Sequence, residues 1–355
     1  MEPRKTQSGH KDQPRPFIVP VFLPQSGCPH QCVFCNQRAL TGADTRLPSA
    51  DALKADINRF LGYRRETRAS TEISFFGGNF LGQAPDTITM MLTLAEGFVR
   101  EGRAQGIRFS TRPDTIDEKR LALLSGYTVG TVEIGAQSMD DHVLNLAGRG
   151  HSSGDTTRAL MHLKKAGYGA GLQMMVGLPG QSEASALDTG RRIAALEPDF
   201  VRIYPALVIK GSRLEAWYRD GRYDPLGLDR CIALVKQLYH LFSEKGIPVI
   251  RIGLQANEGL DTGEDLVAGP YHPAMGQMVA SEILFDKAVA AIASSGGSFA
   301  GGTSLIVHPR MISTMRGQKN INIKRLQNHF PHIGPISVIA GPDTAETDVV
   351  VVPAN

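Results

Sequence analysis

Short apolar runs of strand length recur along the chain, and the stretches between them return an apolar residue every three or four positions. The runs are Ile18 to Leu23, Ile73 to Phe76, Ile107 to Thr111, Thr128 to Ile134, Gly171 to Val176 and Phe200 to Tyr204, each followed by a helix-length amphipathic segment. Strands that alternate with helices predict βα units around a parallel sheet. A shorter seventh run, Pro248 to Ile252, follows a helical stretch that carries Cys231. Six βα units across residues 17–252 are fewer than the eight of the closed barrel, a count that leaves a partial (β/α)6 barrel open. Past Ile252, Met278 to Ile292 has helical periodicity, and Ser304 to Val307, Ile336 to Ala340 and Asp348 to Val352 read as short strands. Residues 253–355 are thus expected to form a small α/β C-terminal appendage that caps the barrel.

In parallel α/β folds, functional residues gather where strands end. Gly77-Gly78-Asn79 follows the second run, Thr111-Arg112-Pro113-Asp114 the third, Gln137 the fourth, Gly177-Leu178-Pro179-Gly180 the fifth and Tyr204-Pro205 the sixth. The loop after the first run is the most distinctive, because it holds Cys28, Cys32 and Cys35, three of the four cysteines in 355 residues. A cubane iron–sulfur cluster has four irons to ligate by thiolate, so three cysteines leave one iron open for chemistry. A structural zinc site needs four closing ligands in paired spacings, and apart from His30 inside the loop no second pair completes that pattern. A disulfide framework would leave one of the three unpaired. Cys231 sits on the apolar face of a helical segment, Asp229 to Val235, and reads as a core residue.

Composition narrows the class only modestly. With 42% apolar and 21% charged residues the chain is an ordinary globular protein, and a net charge of +3 selects no partner. Residues 1–16 lack an apolar core and read as a disordered polar tail, not a signal peptide. No run of eighteen apolar residues occurs, which argues against a membrane span and for a reduced cytoplasm.

The spacing Cys28-x3-Cys32-x2-Cys35, with Phe34 before the last cysteine, resembles the signature of the radical S-adenosylmethionine (SAM) superfamily, whose core is a six-stranded partial barrel. The resemblance covers roughly Phe17 to Ile252. Phe75-Phe76-Gly77-Gly78-Asn79-Phe80, Arg112-Pro113-Asp114, Val132 to Ser138, Gly177-Leu178-Pro179-Gly180 and Arg202-Ile203-Tyr204-Pro205 are similar to segments of the catalytic subunit of Elongator, which modifies wobble uridine in tRNA. Several of these segments also resemble the oxygen-independent coproporphyrinogen oxidases.

The resemblance implies a 4Fe-4S cluster on Cys28, Cys32 and Cys35, SAM on the open iron, and a reduced electron donor of flavodoxin or ferredoxin type. It implies that Gly77 and Gly78 approach the cofactor's amino group through backbone carbonyls, with Asn79 beside them, although glycine and asparagine also suit a plain strand-to-helix turn. It places Gln137, Arg149 and Gln173 around the ribose and carboxylate; the family often has an acid where this chain has Gln173. Phe34 would cover the adenine and the cluster edge, or pack against the barrel. Glu133 reads equally as a ribose ligand and as a salt-bridged wall residue. No acid or base that would act on a substrate is assigned.

The substrate is less legible. The segment after Ile252 shows no glycine-rich pyrophosphate loop of the acetyltransferase kind, so acetyl-CoA chemistry of the full Elongator type is not expected. His272 reads either as a turn residue or as an active-site polar group. Residues 316–325 carry Arg316, Lys319, Lys324 and Arg325 without an acid, a pattern that suits phosphates as well as a solvated helix start. Three readings follow: a radical enzyme acting on a tRNA or other RNA base with Arg316, Lys319 and Lys324 toward the RNA; a radical enzyme acting on a small, tetrapyrrole-like molecule; and a non-enzymatic metal-binding protein.

Overall fold

The computed structural model describes residues 16–23, 27–36, 47–64, 70–255, 257–295 and 301–354. Of the expected polar tail 1–16, all but Pro16 lies outside the described residues. The chain divides into two compact units, one made of Met1–Gly227 with Leu241–Tyr271 and the other of Leu228–His240 with His272–Asn355. The sequence suggested a cut after residue 252; by compactness the segment up to Tyr271 groups with the barrel strands and the helical stretch Leu228–His240 with the second unit.

In the first unit, strands β1 (Phe17–Leu23), β2 (Thr71–Gly77), β3 (Gly106–Thr111), β4 (Val129–Gln137), β5 (Gly169–Val176) and β6 (Phe200–Pro205) pair in chain order. All pairs are parallel, and the sheet curls into an open half-barrel. Two further strands follow, β7 (Val208–Ile209) and β8 (Val249–Ile252), and β8 joins the edge of β6 to make the sheet seven-stranded. The short seventh run is therefore a barrel strand. β7 pairs instead with β9 (Leu266–Ala268), which ties the stretch after β8 back to the strand-end side of β6.

Strands covered on both faces keep apolar residues at successive positions. Val19, Ile73, Phe109, Val132, Ile134, Leu172, Val201 and Ile203 are all buried. Phe80, just past β2, stacks on Phe109 at 4.3 Å and meets Phe75 at 5.1 Å. Each fully buried phenyl contributes on the order of 2 kcal/mol, so this trio locks the end of β2 against β3.

The second unit is a three-stranded sheet with β10 (Thr303–Val307) central, parallel to β11 (Ile336–Ala340) and antiparallel to β12 (Val350–Pro353). Leu284, Ala288 and Ile292 of the helix Met275–Ser294 cluster with Leu305, Val307, Met315 and Leu326. A partial barrel with a small α/β appendage is the architecture expected from the sequence pattern. No helix among the described residues is long and apolar enough to cross a membrane.

Candidate active site

The cysteine loop leaves β1 and is held by bonds from Asn79, just past β2, and from Ala147 and Arg149 after β4. Asn79 provides the first of these. Its side chain is fully buried; Nδ2 donates to the Gly27 carbonyl at 2.9 Å, while Oδ1 accepts from Thr111 Oγ1 at 2.6 Å, Thr115 Oγ1 at 2.9 Å and the Arg112 amide at 3.0 Å. The amide expected beside the cofactor is thus engaged within the protein, tying the residue before Cys28 to the end of β3.

Gly77 adopts φ +97, and a Cβ there would stand 2.6 Å from the Leu23 carbonyl oxygen. Only glycine fits that close approach. Gly78 donates its N–H to the same oxygen at 2.8 Å. The glycine pair therefore docks the end of β2 onto β1 where the cysteine loop departs.

The second support comes from residues 147–150. Val33 N–H donates to the Ala147 carbonyl at 3.0 Å. Gly150, at φ +67, lies so close to His30 that a Cβ would meet the imidazole at 2.3 Å. This close fit brings Arg149 under the loop. The side chain is buried, Nη1 lies 3.1 Å from Cys32 Sγ, and Nη2 donates to the Gly135 carbonyl at 2.7 Å. Arg112 in turn donates Nη2 to the Arg149 carbonyl and forks onto Asp114 at 2.9 Å for each of its two bonds.

Gln137 closes the group. It ends β4 at φ +65, where the register with β5 shifts between Gly135 and Gln137, and its Oε1 accepts from Gln173 Nε2 at 3.1 Å. A non-glycine residue at positive φ marks local strain, which persists where the surroundings over-determine it. Gln137, Arg149, Gln173 and Cys32 are therefore linked by direct contacts or through Gly135. Phe34 is half-buried and packs against the apolar cluster around Val33, Met175 and Leu178.

Cys32 is buried, Cys28 and Cys35 are partly exposed, and none of the four cysteines forms a disulfide. Burial and then the adjacent Cys32 push the Cys28 thiol above its ordinary value, against the pull of Arg112 and Arg149. Iron would supply the charge that favours the thiolate. Cys231 is fully buried in the helix Leu228–Glu244, and burial pushes its thiol up to about 12. It is a core residue, as its apolar surroundings in sequence imply.

The donor set fits an anionic group. Arg112 Nη1, Arg149 Nε and His151 Nδ1 are buried without a hydrogen-bond partner. Two guanidiniums with unmet N–H groups beside three thiols suit a thiolate-bound cluster and a carboxylate. Among the described residues no three His, Cys, Asp or Glu side chains converge on a single-ion site; thiolates that serve separate irons of a cubane stand apart from one another.

Glu133 is a wall residue in this structure. It is 3% exposed, and Oε1 accepts from Arg202 Nη2 at 2.9 Å and Arg108 Nη1 at 3.2 Å. Burial pushes its carboxyl up, while Arg202 and Arg108 pull it back. His151, whose Nε2 is 3.3 Å from the Ala136 carbonyl, and the Arg112–Asp114 fork had no separate role from sequence. Their signal was position alone, two residues past Arg149 and directly after β3.

Arg316, Lys319 and Lys324 belong to the second unit and are exposed there. Arg316 Nη2 donates to the Val338 carbonyl at 3.3 Å. His272 makes a turn contact, its Nδ1 accepting from the Ala274 amide at 3.0 Å.

Comparison with known proteins gives a consistent picture. The family described as the radical SAM superfamily matches residues 22–193, and the Radical_SAM C-terminal domain matches 198–284. An uncharacterized protein of Methanocaldococcus jannaschii is 26% identical over 231 residues, covering 62% of this chain and 70% of that protein. A tRNA uridine(34) acetyltransferase of Dehalococcoides mccartyi is 26% identical over 239 residues, covering 58% of this chain. The chain spans about half, 52%, of that enzyme's length. Archaeal Elp3 from Methanocaldococcus infernus, solved with an N-terminal deletion, superposes with a TM-score of 0.59 at 21% identity, over 77% of this chain and 63% of that one, a likeness of fold. Radical SAM enzymes use a 4Fe-4S cluster and SAM. With both domain matches, the half-barrel and the three-cysteine loop at its strand ends, this chain belongs to the radical SAM superfamily.

Proposed function

We propose that this radical SAM enzyme binds a 4Fe-4S cluster on Cys28, Cys32 and Cys35, holds SAM with Arg149, Gln137, Gln173 and the backbone of Gly77 and Gly78, and modifies a base of tRNA in the cytoplasm. Reductive cleavage of SAM to a 5′-deoxyadenosyl radical is the chemistry these cofactors supply when bound. The observation that carries the reading is the contact of Arg149 with Cys32, 3.1 Å, in the same side chain that meets Gly135 beside Gln137.

The protein's share of the work is placement and exclusion of water. Arg149 brings a planar guanidinium to the thiolate side of the site, where a fork can hold a carboxylate. The Gln137–Gln173 pair, at the end of β4 and within the neighbouring β5, offers amide donors and acceptors to hydroxyl groups. Phe34, packed on Val33, shields the loop's apolar side from solvent. Asn79 and Gly77 tie the start of the loop to the ends of β2 and β3. A flavodoxin- or ferredoxin-type donor supplies the electron.

Support for tRNA comes from the uridine-modifying relative and from the cations of residues 316–325. Two measurements test the proposal. Anaerobic reconstitution should give four irons and four sulfides per chain, and dithionite with SAM should release 5′-deoxyadenosine. Mass spectrometry of tRNA nucleosides from cells with and without the protein should then differ in one modified nucleoside; identical profiles would sink the tRNA assignment.

A further inference from the structure

The second unit contains an open cleft of about 670 Å³ lined by the helical stretch Leu228–His240, the helices Met275–Ser294 and Ile321–His329 and the loop after Arg316. That volume is in the range of small-ligand pockets. Two of its wall cations are paired, Arg325 forking onto Glu282 at 2.5 and 3.0 Å and Lys236 meeting Asp286 at 2.5 Å, and the exposed Asp229 adds a carboxylate to one wall. Where the paired cations line it, and beside the Asp229 carboxylate, the cavity does not favour an anion inside it.

The walls nevertheless offer directed hydrogen bonds. The fully buried Asn322 donates Nδ2 to Ser281 Oγ at 2.8 Å and to the Met315 carbonyl at 3.1 Å, which leaves the Ser281 hydroxyl hydrogen to donate onward. His272 accepts through Nδ1, so in the neutral ring the proton sits on Nε2. Gln277 and Gln318 add amides at the mouth. Between these polar groups lie Ile232, Met278 and Ile321, the last 48% exposed. Aliphatic side chains with amide, hydroxyl and imidazole groups around them suit a heterocycle that carries donors and acceptors on its edge.

Outside the cavity the same segment is basic. Residues 316–325 include Arg316, Lys319 and Lys324, all exposed, and Lys319 and Asn320 adopt left-handed backbone at φ 53 and 58 just before the helix. A hydrogen-bonding interior whose cations are paired, with exposed basic residues at its rim, has the polarity of a nucleotide, with the base inward and the phosphate outward. We propose that this cavity holds one unstacked nucleotide of an RNA strand, its base among Met278, Ile321, Gln318 and Ser281, and the flanking phosphates on Lys319 and Lys324. The inference rests on the RNA reading above and adds to it a second place where the strand is gripped.

The test is fluorescence anisotropy of labelled bulk tRNA with the full-length, cluster-loaded protein under anaerobic conditions, across a salt series. Gln318→Ala and Ser313→Trp, the latter placing an indole at the cavity mouth, are each expected to weaken binding tenfold or more without changing the salt dependence. Lys319→Ala with Lys324→Ala is expected to lower the slope of log affinity against log salt by roughly 0.7 for each phosphate that is no longer neutralised. Thermal melts establish that Ser313→Trp is folded; Gln318→Ala alters an exposed side chain and keeps the test decisive if it is not. Cavity variants that bind tRNA as tightly as the parent overturn this inference and leave the RNA reading standing. A parent protein that binds no tRNA overturns both.

Discussion

Arg149 Nη1 lies 3.1 Å from Cys32 Sγ, although 117 residues of chain separate them. The contact exists because Gly148 and Gly150, at φ +65 and +67, let the loop press onto the cysteine segment, and because Arg112 holds the Arg149 carbonyl from the other side. A guanidinium placed there presents a fork to any carboxylate on the cysteine side, which a lysine cannot reproduce.

Replacing Arg149 by Lys should therefore keep the charge and lose the fork. A charge-assisted hydrogen bond contributes about 1.5 to 3 kcal/mol, so the affinity for SAM should fall roughly tenfold to a hundredfold. Equilibrium binding of SAM to the reconstituted protein measures this, with iron content unchanged as the control. Parent-like affinity would show that Arg149 serves the loop and not the cofactor.

The cysteines separate into two groups. Cys28→Ala, Cys32→Ala and Cys35→Ala should each lower iron and acid-labile sulfide after reconstitution and abolish 5′-deoxyadenosine release. Cys231→Ala should retain full iron and lose on the order of 1 kcal/mol of stability from its small buried cavity. Its thiol, pushed up to about 12, should also resist alkylation in the folded chain. Retention of the full cluster by any of the three loop variants would remove that residue from the ligand set.

Asn79→Ala tests the tie between loops. It deletes one donor to Gly27 and the acceptor shared by Thr111, Thr115 and the Arg112 amide, leaving buried polar groups unmet. The expected loss is on the order of 3 kcal/mol, read as a lower urea midpoint of the iron-free protein. Poorer iron retention should accompany it, since Gly27 adjoins Cys28.

His151 makes stability pH-dependent. Burial, and then Arg149 and Arg112, push its imidazole down to about 4 from an ordinary 6.5. As the pH falls below 6.5 the unfolded chain takes up a proton that the folded chain refuses until about 4, so stability declines across that window and is unaffected by this group above it. The slope from one such group is at most about 1.4 kcal/mol per pH unit. Urea midpoints of iron-free protein between pH 4 and 8 should show this decline, and His151→Gln should flatten part of it. An unchanged profile in the variant would assign the decline to other groups.

The strands and the cysteine loop were legible in the sequence because both are local: alternation of apolar runs with 3.6-residue periodicity marks βα units, and a three-cysteine spacing needs no partner from afar. Even the C-terminal strands β10, β11 and β12 follow from short apolar runs. What the tertiary structure alone decided is which distant side chains meet. Glu133 was open between ligand and wall until Arg108 and Arg202, 25 and 69 residues away, were placed on its carboxylate. Asn79 read from sequence as a possible contact beside a cofactor, and its amide bonds to Gly27, Thr111, Thr115 and Arg112 are each set by how β2 and β3 end side by side. The seventh strand and the cavity beside Asn322 likewise depend on pairings between segments far apart in the chain. Periodicity and spacing encode a residue's own backbone and face; the partner across a packed interior is set only when the whole sheet closes.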